Sequence, residues 1–453
     1  MVLKKTFRYY YWVITEFLKK HFKIIAISSF ASFVFIISLI SLSPFIESFF
    51  VNKTEVIGLI GNYDTNNLPD EIYSKISTGL VYINENGEIK PTLAFAWEIR
   101  NNGKEYRFHL KDSLIWNDGK IFSASDINYQ FKDVKVNVID DKTIEFVLNK
   151  PLLIFPSYLR KPIIRRPLIG VAGLYKVVNI KSKYDHIVEL SLEPNKKNIA
   201  YIKYRFYPDE NQLITAYKKG EITKMSITKK NIAEQFMKWN NSEVIKSVDY
   251  SRLLTLFFNF TNPLLKEKDI KNAIATAINV DDFKPLGELA KGPIPPISWA
   301  YNTSLKSPQY DLTSSQNIFK KNITASTEAQ MNLVTYYDYY DMGDQIANAL
   351  KGAGLSVNLN VISYDKPSQF DMLLAFWKVP EDPDQYYFWH STQTQGNIGG
   401  YNNVKVDKLL EDGRSSTSIE ERKRIYFEFQ RVIQDDTPGL FLYYPYLYTI
   451  KRK

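Results

Sequence analysis

The sequence predicts an α/β protein of two or three lobes behind one N-terminal membrane-spanning helix. Three observations lead there. The run Ile24–Ile46 carries no charge, and its about 23 residues make roughly 35 Å of helix, enough for a ~30 Å hydrocarbon core. About 400 residues follow it, more than one hydrophobic core holds. Within them, period-two strand patterns share the chain with a helix that returns into a strand over 342–361, an α/β unit.

The flanks of the first helix set its direction. Lys4, Lys5, Arg8, Lys19, Lys20 and Lys23 precede the run against one acid, Glu16, and Glu47 follows it. The positive-inside rule places Met1 in the cytoplasm and the chain beyond about residue 50 outside. A cleaved signal would be shorter and cut after small residues; Ser41 and Ser43 mimic such a site, but Pro44 follows directly. A helix apolar on all sides argues against a globular core helix. The segments are therefore 1–23 cytoplasmic and basic, and 24–46 a single-pass anchor. The net charge is +9; the first 23 residues supply 6 − 1 = +5, leaving 9 − 5 = +4 for the rest. The external part is nearly balanced, so no nucleic-acid partner is expected. With no Cys in the chain, disulfides, thiolate metal sites, a Cys nucleophile and a lipoprotein anchor are all excluded. The 31 Tyr suit a pocket that grips apolar groups and offers hydroxyls.

In chain order, 52–62 reads as a buried strand ending at Gly61-Asn62. Asp70 caps a short helix. Tyr82–Lys90 is a hairpin around Asn84–Gly87. Tyr106, Phe108 and Leu110 alternate, and Val134, Val136, Val138 turn at Asp140–Lys142 into Ile144, Phe146, Leu148. The Pro-rich, basic stretch 151–170 reads as a loop crossing between lobes. Val188, Leu190 and Leu192 alternate, Ile202–Phe206 continues as strand, and a helix from Gln212 stops at Gly220. Leu253–Phe258 is an apolar strand with Asn259 at its end. Ile270, Ala273, Ile274, Ala277 and Ile278 recur at helical spacing behind Asp269. The loop 292–296 holds three Pro and cannot be helix or central strand. Met342, Ile346 and Leu350 face one way, and after Gly352 and Gly354 come Leu355, Val357, Leu359 and Val361 in alternation. Ser418 and Glu421 form a capping box opening a helix faced by Ile425, Phe429 and Val432.

Catalytic patterns are absent: no GxSxG, no GxxxxGK[ST], no GxGxxG after a strand. His21, His109, His186 and His390 form no ligand pair, and no metal or cofactor is expected. Asp382-Pro383-Asp384 is the one acidic cluster. It reads as a Pro-stiffened turn, or as a carboxylate pair for acid/base work.

Several runs in order resemble the family 5 extracellular solute-binding proteins of ABC importers, the group of dipeptide-, oligopeptide- and nickel-binding proteins. Gly79-Leu80-Val81-Tyr82 through Gly87-Glu88-Ile89-Lys90-Pro91-Thr92-Leu93-Ala94-Phe95-Ala96-Trp97 is similar to "G-L-v … d-G-e-i-x-P-x-L-A-x-x-W". Tyr106–Lys111 and Ile115-Trp116-Asn117-Asp118-Gly119-Lys120 resemble "y-x-F-x-L-r … v-k-W-x-D-G-k", with Ser123–Ile127 after them. Phe257-Phe258-Asn259 precedes Lys268–Ile274, like "f-N … d-v-R-x-A-i". Tyr401–Leu410, Arg422–Tyr426 and Pro438–Tyr444 complete the match over roughly 55–447.

The resemblance implies a two-lobed periplasmic-binding-protein-like fold, type II, with an extra small α+β domain. Lobe I is expected from 52–78, 166–255 and 446–453, the extra domain from 79–165, and lobe II from 256–445. It implies a non-enzymatic receptor, a monomer, that captures peptides or related small solutes between its lobes and delivers them to ABC permease subunits. Asn259, Trp377, Asp382, Asn397 and Tyr401 are expected to line the cleft. The match has departures. The extra domain is trimmed after Ile127, and the closing strands of lobe I are shortened at Lys453. The family's "G-T-G-P-Y" turn survives only as Gly170–Tyr175. The acid that pairs with a peptide amine after the cleft Trp is missing beyond Trp377, leaving Glu381 or Asp382 to replace it. A sensory ectodomain without transport, and a secreted hydrolase using Asp382 and Asp384, are the alternatives.

Overall fold

The computed structural model describes residues 2–50, 54–323, 330–363, 367 and 369–453. Helix α1 (Val2–Phe50) is broken once, at His21, whose φ of −111° and ψ of 16° are non-helical. The stretch of it long and apolar enough to cross a membrane is Arg8–Ser38. Most of its apolar side chains from Tyr9 to Ile37 are exposed; most side chains beyond Ser38 lie outside the described set.

Strand β1 (Thr54–Ile60) starts the folded body, and α2 (Asp70–Ile76) follows. Asp70 is the first residue of α2 rather than its cap, since Pro69 holds the cap position. The hairpin β2 (Val81–Ile83) and β3 (Ile89–Pro91) turns where Asn84 Oδ1 accepts from the amides of Asn86 (3.1 Å) and Glu88 (2.8 Å). Strands β4 (Ala94–Arg100), β5 (Glu105–Leu110), β6 (Val134–Asp140) and β7 (Thr143–Leu148) form a separate antiparallel sheet in the order β4-β5-β7-β6. The alternation in β5 and β7 buries Tyr106, Phe108, Ile144 and Phe146. In β6 it does not: Val136 and Val138 are exposed, because β6 is an edge strand paired on one side only. One apolar cluster joins this sheet to Leu80, Phe155, Leu159 and Val171. The 151–170 stretch is accordingly no open loop. It holds a buried 3-10 turn, Phe155–Arg160, and the small hairpin β8 (Ile164–Arg165) and β9 (Ile169–Gly170).

Strands β10 (Tyr175–Lys183), β11 (His186–Pro194) and β12 (Tyr201–Tyr207) extend from β1, which is parallel to β12. A bulge near Ser182 flips the β11 register, so Val188 points out while Leu190 and Leu192 point in. Helix α3 (Glu210–Lys219) ends at left-handed Gly220, and β13 (Lys224–Ile227), α4 (Lys230–Met237) and β14 (Ser242–Val248) follow.

The second half opens with β15 (Arg252–Phe258), buried from Leu253 onward, as a strand covered on both faces must be. Then come α5 (Lys268–Ala277), β16 (Gly287–Leu289), α6 (Leu312–Asn322), β17 (Met331–Tyr336), α7 (Tyr340–Gly352), β18 (Val357–Ile362) and β19 (Met372–Lys378). Strands β17 and β18 are parallel across α7, the α/β unit that the sequence predicts. Helices α8 (Tyr386–Trp389), α9 (Val404–Arg414) and α10 (Ile419–Asp436) lead to β20 (Gly439–Arg452). Ser418 caps α10 by accepting from the Glu421 amide at 3.3 Å, but the return arm of the box is replaced. The Glu421 carboxylate takes the Ser416 hydroxyl instead.

The main sheet runs β10-β11-β12-β1-β13-β20-β15-β19-β17-β18. Strand β20 joins its two halves: residues 439–445 pair with β15 and β16, and residues 446–452 with β13 and β14. The chain passes between the halves again at Asp249–Ser251, where the Asp249 amide donates to the Pro445 carbonyl at 2.9 Å. The cores respect this division. Two clusters lie under the β1 half, one drawing Tyr448 and Ile450 from the end of β20, and two lie on either face of the β15 half.

Candidate functional site

The crevice that separates α2 and the small four-stranded sheet from the β15 half is built from three local structures. Pro156 starts the 3-10 turn 155–160, whose buried Phe155 and Leu159 leave Tyr158 and Arg160 facing outward. Opposite stands the loop leaving β19, residues 379–384, where the Asp384 amide binds Asp382 Oδ1 at 2.9 Å. The N-terminus of α10 closes the far end.

Two adjoining cavities share Ile154 in this crevice. One, of about 510 Å³, is lined by Asp70, Tyr82, Ile83, Tyr158, Arg160 and, from across the crevice, residues 380–382 and Asp384. The other, of about 870 Å³, lies between the hairpin turn 86–90, Trp97 and the 416–422 end of α10. Polar contacts bridge the walls: Tyr158 donates to Asp384 Oδ2 at 3.1 Å, Lys378 pairs with Asp70 at 2.5 Å, and Arg160 pairs with Glu381.

The acidic turn is held from behind by arginines. Arg414 Nε reaches both Asp384 oxygens at 3.0 and 2.9 Å, and the Arg422 guanidinium meets Asp382 at 2.5 Å. Burial disfavours the Arg422 charge, but Asp382 and Tyr426 more than offset it, so its pKa lies above the ordinary arginine value. Burial first, and Asp384 second, push the Tyr158 phenol up. Arg160 is pulled down by desolvation against the pull of Asp382 and Asp70.

Of the five residues expected at the cleft, the structure sets Asp382 on its wall. Trp377 lies behind that wall, nine-tenths buried, with its indole N–H on Thr255 Oγ1 at 3.0 Å and its ring against Phe388 at 4.6 Å. Asn259 ties off β15: Nδ2 donates to the Phe370 carbonyl at 2.7 Å, and Oδ1 accepts from the Thr261 amide at 3.0 Å. Asn397 braces its own loop, donating to the Tyr401 carbonyl at 2.6 Å and accepting from the Tyr401 amide at 2.9 Å. The Tyr401 hydroxyl donates to Asp436 at 2.6 Å, and the ring borders a different cavity with Lys266, Lys268 and Lys271. These four carry internal bonds, and the crevice brings none of them beside Asp382.

Tyr82, Ile83, Tyr158 and Arg160 enter the site unannounced. The sequence holds one signal for the arginines behind it: Arg422 occupies the same helical stripe as Ile425 and Phe429, and a charge on an apolar stripe requires a buried partner.

Known proteins share both sequence and shape with this chain. The family model for bacterial extracellular solute-binding proteins, family 5 (middle), matches residues 88–399. The oligopeptide-binding protein AppA of Bacillus subtilis is 24% identical, with 86% of each chain covered. The probable D,D-dipeptide-binding protein DdpA of Escherichia coli is 22% identical over 79% of each. Among solved structures, NikZ from Campylobacter jejuni in complex with Ni(L-His) superposes with a TM-score of 0.72 at 20% identity, covering 89% of this chain and 94% of that one. DppA from Helicobacter pylori with the peptide STSA gives 0.69 at 21%, covering 88% and 94%. The two-lobed mixed α/β fold is thus shared with these binding proteins, and the match over 88–399 makes the chain a member of the family 5 bacterial extracellular solute-binding proteins.

Proposed function

We propose that the chain is the extracellular substrate-binding component of an ABC importer, anchored by α1, which captures peptides or related small solutes and hands them to permease subunits. One observation carries this reading: the crevice is walled by Asp70 of α2 and residues 82–83 and 154–162 of the small domain on one side and by residues 380–384 on the other, is bridged by polar contacts, and lies beside two backbone crossings that join the half-sheets, at 249–251 and 445–446. A solute touching both walls contacts them together only when the halves are close, so it stabilises the closed arrangement by its extra affinity for that state. We assign lobe I to 52–78, 166–255 and 446–453, the small domain to 79–165, and lobe II to 256–445. Asp382 is the expected site residue retained on the wall, joined by Tyr82, Tyr158 and Arg160; Asn259, Trp377, Asn397 and Tyr401 support lobe II. Asp382 and Asp384 are engaged by Arg422 and Arg414. That favours a binding wall over acid/base catalysis, which needs a carboxyl free to exchange its proton with substrate. The test is mass spectrometry of whatever copurifies with the natively purified chain, followed by calorimetry with a peptide library. Peptides that copurify and rebind are expected; the absence of binding across the library overturns the peptide reading.

A further inference from the structure

The break at His21 divides α1 into two helices of different chemistry. Beyond it, after Phe22 and Lys23, lies the charge-free run 24–46; before it, residues 8–20 carry four charges. At about 100° per residue, Arg8, Glu16, Lys19 and Lys20 fall within an arc of roughly 120°. Tyr10, Tyr11, Ile14, Phe17 and Leu18 occupy the opposite half-circle, and all five are exposed; Tyr9 and Trp12 share the charged side. Glu16 and Lys19 pair at 3.4 Å along that charged side.

A single straight span over Arg8–Ser38 would put Glu16, Lys19, Lys20 and Lys23 into hydrocarbon, although the run 24–46 crosses without them. A basic polar face opposite an aromatic-rich apolar face is instead the pattern of a helix lying in the plane of the headgroups. We propose that residues 8–21 form such an in-plane helix on the anionic cytoplasmic leaflet, turning at His21 into the span. Charge complementarity selects this occupant: three of the segment's four charges are basic, and that leaflet is anionic. Continuity with the span holds the helix at the surface. Apolar rings then sink below the headgroups while the lysines snorkel among them. The proposal takes the anchored reading of α1 as given and is independent of what the cleft binds.

The chain has no Cys, so single spin labels report without background. Full-length protein carrying Tyr10→Cys, Ile14→Cys or Phe17→Cys, and Glu16→Cys, Lys19→Cys or Lys20→Cys, is reconstituted in vesicles of phosphatidylcholine with phosphatidylserine. The first three labels are expected roughly 5–10 Å below the headgroup boundary, shielded from an aqueous nickel relaxant and open to oxygen, with the other three open to nickel. Lys19→Glu with Lys20→Glu should raise nickel access at Phe17→Cys. Uniform nickel access along 8–20, uniform burial of all six positions, or no response to the charge reversal overturns the proposal. So does an intact mass from cells that lacks residues 1–23. Because ligand binding is not read, failure here is distinct from failure of the receptor assignment.

Discussion

Asp382 and Arg422 show how a wall residue of the crevice depends on a charge behind it. Arg422 is buried, with its Nε on the Gly413 carbonyl at 3.0 Å and its guanidinium on Asp382. Removing one partner of such a pair leaves the other charge uncompensated. Asp382→Ala should therefore cost about 3–5 kcal/mol in chemical denaturation. Asp382→Leu with Arg422→Met should recover part of that loss, since an apolar pair needs no compensation. Trp377 gives the opposite test. Trp377→Phe keeps a ring in the core but strips Thr255 of its donor, for about 1–3 kcal/mol of stability. Peptide affinity of the folded protein should be unchanged, because the indole lies behind the wall; a large loss of affinity would place Trp377 in the site after all. Asp382 was legible as a turn acid from the sequence. Its pairing with Arg422 was not: the apolar stripe of α10 signals only that Arg422 needs a buried partner, and which acid 40 residues back supplies it is set by tertiary packing.

Among the elements, the β2–β3 hairpin and the crossing at 249–251 each concentrate a function in one residue. Gly87 turns the hairpin at φ +79°, and a Cβ there would come within 2.2 Å of Trp299 Nε1 in the opposite half. Gly87→Ala should thus cost about 1–2 kcal/mol for the left-handed backbone alone. It should also force Trp299 aside, seen as altered tryptophan fluorescence. At the crossing, the Tyr250 hydroxyl donates to Glu288 of β16 at 2.8 Å, and burial, then Glu288, push its phenol up to about 12. The folded value exceeds the unfolded one, so this contribution is complete below about pH 10 and is lost as pH rises toward about 12. Tyr250→Phe should make the alkaline loss of stability shallower, measured by denaturant titration at stepped pH. The hairpin, the β5–β7 alternation and the α7–β18 unit were legible because local period and turn chemistry specify them. The edge exposure of Val136 and Val138, the outward flip of Val188 and the buried turn 155–160 were not, because sheet position, a bulge and packing decide them. The same applies to Tyr158 and Arg160, whose site role exists only once that turn is folded against the crevice.

For the whole molecule, the question is how the two halves of the sheet balance between apart and together. In the proposed closure, one half turns on the other about the β20 passage at 445–446 and the 249–251 crossing, with every ladder within each half kept paired. Among the described residues, closure without solute then rests on the polar contacts of Tyr158 with Asp384, Lys378 with Asp70 and Arg160 with Glu381, beside the packing of Gly87 against Trp299. The two ion pairs are largely exposed, with Glu381, Asp70 and Lys378 each more than three-quarters open to solvent. Exposed pairs contribute about 0.2–1 kcal/mol each and weaken with salt. Such terms poise the closed state without locking it, which a receptor needs if solute is to enter. Arg160→Ala with Lys378→Ala should shift the solute-free protein toward open, raising the radius of gyration in X-ray scattering. Added salt should do the same to the unaltered chain and have little effect on the double variant. Saturating peptide should return both to one compact value, because solute contacts rather than ion pairs then hold the walls. If scattering does not change with the double substitution, salt or peptide, the halves form one rigid body and capture by closure fails as the mechanism.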